Sequence, residues 1–118
     1  MAGFTVPLQI GGAADQFALL DALVGTGATH TLIPRPVLVA VGVEPLGEAI
    51  FNLAYGKNVV YQIGEARLRL LSNDRTSIVV FGPDDATPLL GSSTLALFNL
   101  TPDIDLQYLV PAPGVLEI

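Results

Sequence analysis

Acid–base or metal chemistry in this 118-residue chain would have to come from eleven Asp and Glu residues and one histidine, since cysteine is absent. Hydrolysis by paired carboxylates needs two of them close enough to share a proton. Like charges at that distance cannot both ionise, so one acts as base and the other as acid. The spacing of the acids offers no such pair. Asp84-Asp85 follows Pro83 and is expected to bond turn amides. Asp103 and Asp105 would share one face of a strand, yet two carboxylates without further ligands make a poor cation site. Asp21 reads as a solvent-facing or ion-paired strand residue, and along an extended strand it lies roughly 13 Å from Gly25. His30 has no second histidine or cysteine for a metal and no serine placed as its nucleophile, so a structural role is expected. Neither a metal nor a cofactor is expected. The Gly25-x-Gly27 spacing suits a dinucleotide loop, but position 30 is His where that fingerprint needs Gly. Pro34 and Pro36 also prevent a long helix from following.

Residues 22–34 carry more information than any acid. Ala22-Leu23-Val24 predicts an apolar strand that runs into Gly25-Thr26-Gly27-Ala28, and Thr31-Leu32-Ile33 predicts a strand that leaves again, ended by Pro34. The elements around it are short. Twelve glycines and nine prolines punctuate segments rich in Val, Ile, Leu, Phe and Thr, the pattern of an all-β domain. Phe4 to Ile10 and Gln16 to Val24 predict a hairpin across Gly11–Asp15. Ala49 to Ala54 and Asn58 to Ile63 predict a second hairpin with Tyr55-Gly56-Lys57 at its tip. Glu65 to Leu70 alternates polar and apolar residues, so one face of that strand is expected to be wet, and Thr76 to Phe81 follows after a turn. Short helices are expected at Pro36–Val41 and Ser92–Phe98, the second with Asn99 as a left-handed cap. Gln107–Val110 and Val115–Ile118 are expected to close the chain as strands.

The apolar strand followed by Gly25-Thr26-Gly27-Ala28 resembles the active-site loop of retroviral-type (retropepsin-like) aspartic peptidases, in which Asp-Thr-Gly-Ala follows such a strand. Leu89-Leu90-Gly91 before a short helix is similar to the family's second signature, and the hairpin Ala54, Tyr55, Gly56, Lys57 falls where the family has its substrate flap. The ending Tyr108-Leu109-Val110-Pro111 is similar to that of bacterial members. The resemblance covers most of the chain. It implies an acid-protease barrel with two short helices, residues 1–118 as a single domain, and one half of a two-fold homodimer whose site lies on the axis. Two departures stand out. Ser92 and Ser93 follow Gly91 where relatives often carry Arg and Asp or Asn, and Gly25 stands at the position of the catalytic aspartate. Glycine can neither activate water nor protonate a leaving amine. Thr26 and Gly27 remain, and in relatives that threonine ties the two loops of the dimer together. The resemblance therefore implies an inactive peptidase, in which Gly25→Asp is expected to confer activity at mildly acidic pH.

Composition bounds the partners. Hydrophobic residues make up 51% of the chain and charged residues 14%, against roughly 25% charged in an average domain. So little charge points to self-association into a homodimer or larger homo-oligomer. The expected helices carry Val37, Val39, Val41 and Leu97 with no polar side, which makes them candidates for an additional interface. Two alternatives to the inactive peptidase follow: a natural or designed self-assembling scaffold on this fold, and a peptide-binding module without turnover. A net charge of -6 with only five basic residues argues against nucleic acid. No segment approaches the roughly 20 apolar residues that span a bilayer, and the first residues lack a signal-peptide pattern, so a soluble, cytoplasmic protein is expected.

Overall fold

A computed structural model describes residues 3–53 and 55–118. Period-two burial builds the sheet. Strand β1 (Phe4–Gly11) buries Phe4, Val6, Leu8 and Ile10 while Thr5 and Pro7 face out. It pairs antiparallel with β2 (Phe17–Val24) in unbroken register from Phe4↔Val24 to Gly11↔Phe17, as the first hairpin requires. After a six-residue loop come β3 (Thr31–Pro34) and helix α1 (Arg35–Ala40), which has Pro36 in its first turn where a missing amide costs nothing. Strands β4 (Pro45–Asn52), β5 (Asn58–Leu70) and β6 (Asn73–Gly82) follow, then α2 (Ser92–Leu97), β7 (Leu100–Asp103) and β8 (Tyr108–Pro111).

The main sheet runs β2-β1-β5-β6-β3, with β4 paired to the outer part of β5, while β7 and β8 form a separate hairpin. All pairs are antiparallel except β3 with β6. Side chains from both layers meet in one core in which Leu8, Ile10, Ile33, Leu38 and Leu68 are wholly buried. In β5, Ala66, Leu68 and Leu70 point inward and Glu65 outward, so the predicted alternation holds. Asn99 sits at φ 54° after α2, the expected left-handed cap.

Three expectations need correction. The break expected between Ile63 and Glu65 is absent: β5 continues through Gly64, where the Glu44 carbonyl passes 2.7 Å from the site of a Cβ. That glycine admits a neighbouring backbone rather than ending a strand. The strand expected at Val115–Ile118 does not form, and Val115 and Leu116 are 84% and 91% exposed. Instead β8 takes β7 as its partner, a strand concealed in the sequence by Pro102. Lastly, the helices are not apolar all round in their surroundings. Leu38, Val41 and Leu95 enter the core, and Val37 packs half-buried against it. Val41, only 5% exposed, is thus removed from any added interface, whereas Val39 and Leu97 do face outward at 60% and 47%. No helix among the described residues is long and apolar enough to cross a membrane.

Candidate functional site

The loop joining β2 to β3 is held by a segment distant in sequence. Pro88–Leu90 is extended and bonds on one side to β2 (Leu23 N to Pro88 O and Leu90 N to Leu23 O, both 2.9 Å). On the other side it bonds to β3 (Leu32 N to Leu89 O and Leu89 N to Leu32 O, both 2.9 Å). Satisfying amides on both edges makes this short segment a wedge that fixes the separation of the two strands. The start of α2 then locks the loop: the Ser92 amide donates to Ala28 O and the Ser93 amide to Thr29 O, each at 3.0 Å. The Ser93 hydroxyl also donates to Thr29 O at 2.7 Å. Gly91 lies at the closest approach. A Cβ there would stand 2.6 Å from Thr29 O and collide with the His30 backbone, so only glycine fits. Leu89, Leu90 and Gly91 are thus brought against the Gly25–Ala28 loop.

Beneath the loop is a knot of buried hydroxyls. Thr31 Oγ1 donates to Thr94 Oγ1 at 2.6 Å, Ser77 Oγ lies 2.9 Å from the same atom, and the Gly91 amide donates to Thr31 Oγ1 at 3.0 Å. Thr31 and Thr94 are completely buried, and no buried side-chain polar atom among the described residues lacks a partner. The knot joins β3, β6 and α2, so it sets the position of the loop relative to the 88–91 segment. Sequence reasoning missed these residues. The available signal was a hydroxyl at the inward phase of β3 and β6, where Ser77 alternates with Val79 and Phe81.

Within the loop, Gly25 and Gly27 adopt φ of 83° and 85°, and Thr26 Oγ1 accepts from the Ala28 amide at 3.2 Å. A cavity of about 180 Å³ opens beside Gly25, Thr26 and Gly27, bordered by Leu90, Leu95 and Pro102, and no ionisable side chain among the described residues lines it. Across the loop from it, the β4–β5 hairpin overhangs a second groove of about 140 Å³. Leu32, Leu53, Val80 and Leu89 form its apolar walls, and Phe51 and Tyr61 come from the hairpin. The His30 ring packs edge-on to Phe51 (centroids 5.2 Å apart, 78° between planes), and Phe51 in turn lies 6.4 Å from Tyr61. At the hairpin tip the Leu53 amide donates to Lys57 O at 2.8 Å, and Gly56 takes the left-handed turn at φ 83° with Tyr55 and Lys57 exposed. Ala54, also assigned to that tip from the sequence, lies outside the described residues.

The acids weighed from the sequence lie elsewhere. Asp21 is exposed on β2 opposite Pro7, and Asp84 and Asp85 are exposed in the turn after β6. Asp103 accepts from the Leu106 amide at 3.0 Å and shapes the β7–β8 turn, while Asp105 sits in that turn, so the two do not share a strand face. Among the described residues no group of His, Asp and Glu is arranged to hold a metal.

No protein-family model and no curated protein matches the sequence. The structure, however, is similar to the solution structure of Simian Foamy Virus (mac) protease, with a TM-score of 0.57 and 19% identity over 80% of this chain and 93% of that one. It is also similar to the foamy viral protease-reverse transcriptase solved with an RNA/DNA hybrid (TM-score 0.62, 20% identity). That match covers 98% of this chain and 13% of the other, so the chain spans a small part of that protein. The chain has a retropepsin-like acid-protease fold: mostly β, with two short helices.

Proposed function

We propose that this chain is a catalytically silent retropepsin-like peptidase that binds extended peptides beneath its β4–β5 hairpin and does not cleave them. One observation carries the reading. The strands flanking the 25–28 loop are clamped by Pro88–Leu90, Ala28 is held by the Ser92 amide, and the loop faces a cavity, yet among the described residues no carboxylate lines that cavity or the neighbouring groove. Gly25 takes the aspartate's place, Thr26 and Gly27 keep the remainder of the loop, and Tyr55, Gly56 and Lys57 belong to the flap. The ending at Tyr108–Pro111 aligns the chain with bacterial members. Residues 1–118 act as one domain, and two copies pair around the loop. Loss of the acid favours that pairing, because two desolvated like charges no longer have to be brought together.

The test joins solution mass to a peptide-cleavage assay from pH 3 to pH 8. The expected result is a two-subunit particle that binds extended peptides and releases no fragments. Turnover abolished by a pepstatin-like inhibitor overturns the reading. A second reading, a self-assembling scaffold, is supported by the outward Val39 and Leu97 side chains on the two helices. A closed particle larger than a dimer that Val39→Glu dissolves would favour it, and a dimer indifferent to that substitution would count against it.

A further inference from the structure

We infer that His30 sets the specificity of the groove under the β4–β5 hairpin. It selects peptides that place a hydrogen-bond acceptor, above all a carboxylate, beside a side chain of leucine or single-ring size. The inference rests on the groove being a peptide site, as proposed above, and adds the chemistry of what it takes.

Size comes first. The groove encloses about 140 Å³ between Leu32, Leu53, Val80 and Leu89. An apolar cavity of about 150 Å³ holds one benzene ring, so the space matches one ring or one branched aliphatic side chain. The polar edge decides the neighbouring residue. Thr29 Oγ1 and His30 Nδ1 are 3.0 Å apart. That contact occupies Nδ1 and leaves Nε2 as the ring nitrogen that can meet a ligand. The proposal assigns the tautomer in which the Thr29 hydroxyl donates to Nδ1 and Nε2 carries the proton, a donor that calls for an acceptor. Phe51 from β4 packs against the ring and fixes its plane.

Charge gives the preference its sign. Among the described residues, His30 and Tyr61 are the only ionisable side chains lining the groove, with no carboxylate and no Lys or Arg beside them. A ligand carboxylate would thus face His30 with no competing acid. The protein as a whole carries a formal charge of -6, which by itself favours cationic peptides. Local and global electrostatics predict opposite orders, and this makes the inference decidable.

Three fluorescent hexapeptides, Ala-Leu-X-Leu-Ala-Ala with X as Glu, Gln or Lys, are titrated with the full chain by anisotropy at one pH at which the Glu peptide is ionised. Leucine on both sides of X makes the result independent of peptide direction. Glu is expected to bind tightest and Lys weakest, with Glu about tenfold ahead of Gln, the scale of a hydrogen bond to an ionised carboxylate. His30→Leu, at an exposed position, keeps the melting temperature and removes the Glu preference. Equal binding of Glu and Gln peptides, a preference for Lys, or an unchanged order in His30→Leu overturns the inference while leaving peptide binding intact. Failure of all three peptides to bind overturns the peptide-binding reading itself, and this inference with it.

Discussion

Restoring an acid at position 25 places its side chain on a backbone that disfavours an L-residue. Gly25 sits at φ 83°, in the left-handed region. An L-residue there costs roughly 1–2 kcal/mol, somewhat less for Asp, whose short polar chain bonds locally. Removing glycine's freedom in the unfolded chain returns about 0.5–1 kcal/mol. Gly25→Ala should therefore lower stability by about 0.5–1 kcal/mol, whereas D-alanine, for which positive φ is the relaxed state, should raise it by about 0.5–1 kcal/mol. Gly27 provides the control: its φ is 85° and an added Cβ meets nothing within 4 Å, so the same pair of substitutions there reads conformation alone. Semisynthetic variants compared by urea denaturation at constant slope resolve the difference. Gly25→Asp should follow Ala in stability, so the peptidase activity expected of it at mildly acidic pH comes with a lower unfolding midpoint than that of the unmodified chain. Equal effects of the L- and D-residues, or a Gly25→Asp protein of undiminished stability that cleaves peptide, would refute the reasoning.

The remaining predictions concern the supports of the loop. Thr94→Val removes the centre of the buried hydroxyl knot and leaves Thr31 and Ser77 without their shared partner, at a cost of about 1–3 kcal/mol in urea unfolding. Gly91→Ala drives a Cβ into the Thr29 carbonyl and the His30 backbone, and a lower melting temperature with exchange broadening of loop amides is expected. Ser93→Ala deletes one exposed hydrogen bond to Thr29 O while the Ser93 amide bond persists, so a loss of no more than about 1 kcal/mol should be measured.

Local periodicity made the fold legible. The alternation in β1 and in Glu65–Leu70, the hairpin turns and the Asn99 cap are properties of neighbouring residues, and all appear in the structure. What local pattern could not reveal depended on distant backbone. Gly64 reads as a break until Glu44 is seen passing beside it, and β7 stays hidden behind Pro102 until β8 supplies its partner. The site divides the same way. The 25–28 and 89–91 motifs are visible as residues, but the hydrogen bonds on both sides of Leu89 join parts of the chain more than fifty positions apart. His30 drew attention as the only histidine, whereas its contact with Phe51 across the groove required the folded hairpin.

The most direct trial of an inert peptide-binding site incubates the unmodified chain with a mixed peptide pool at several pH values. Mass spectrometry then reads both the pool and the peptides retained on the protein. Retention of intact peptides with no new fragments at any pH is the predicted outcome. Fragments that vanish when a pepstatin-like inhibitor is added would mean that an acid at work in this fold has been overlooked.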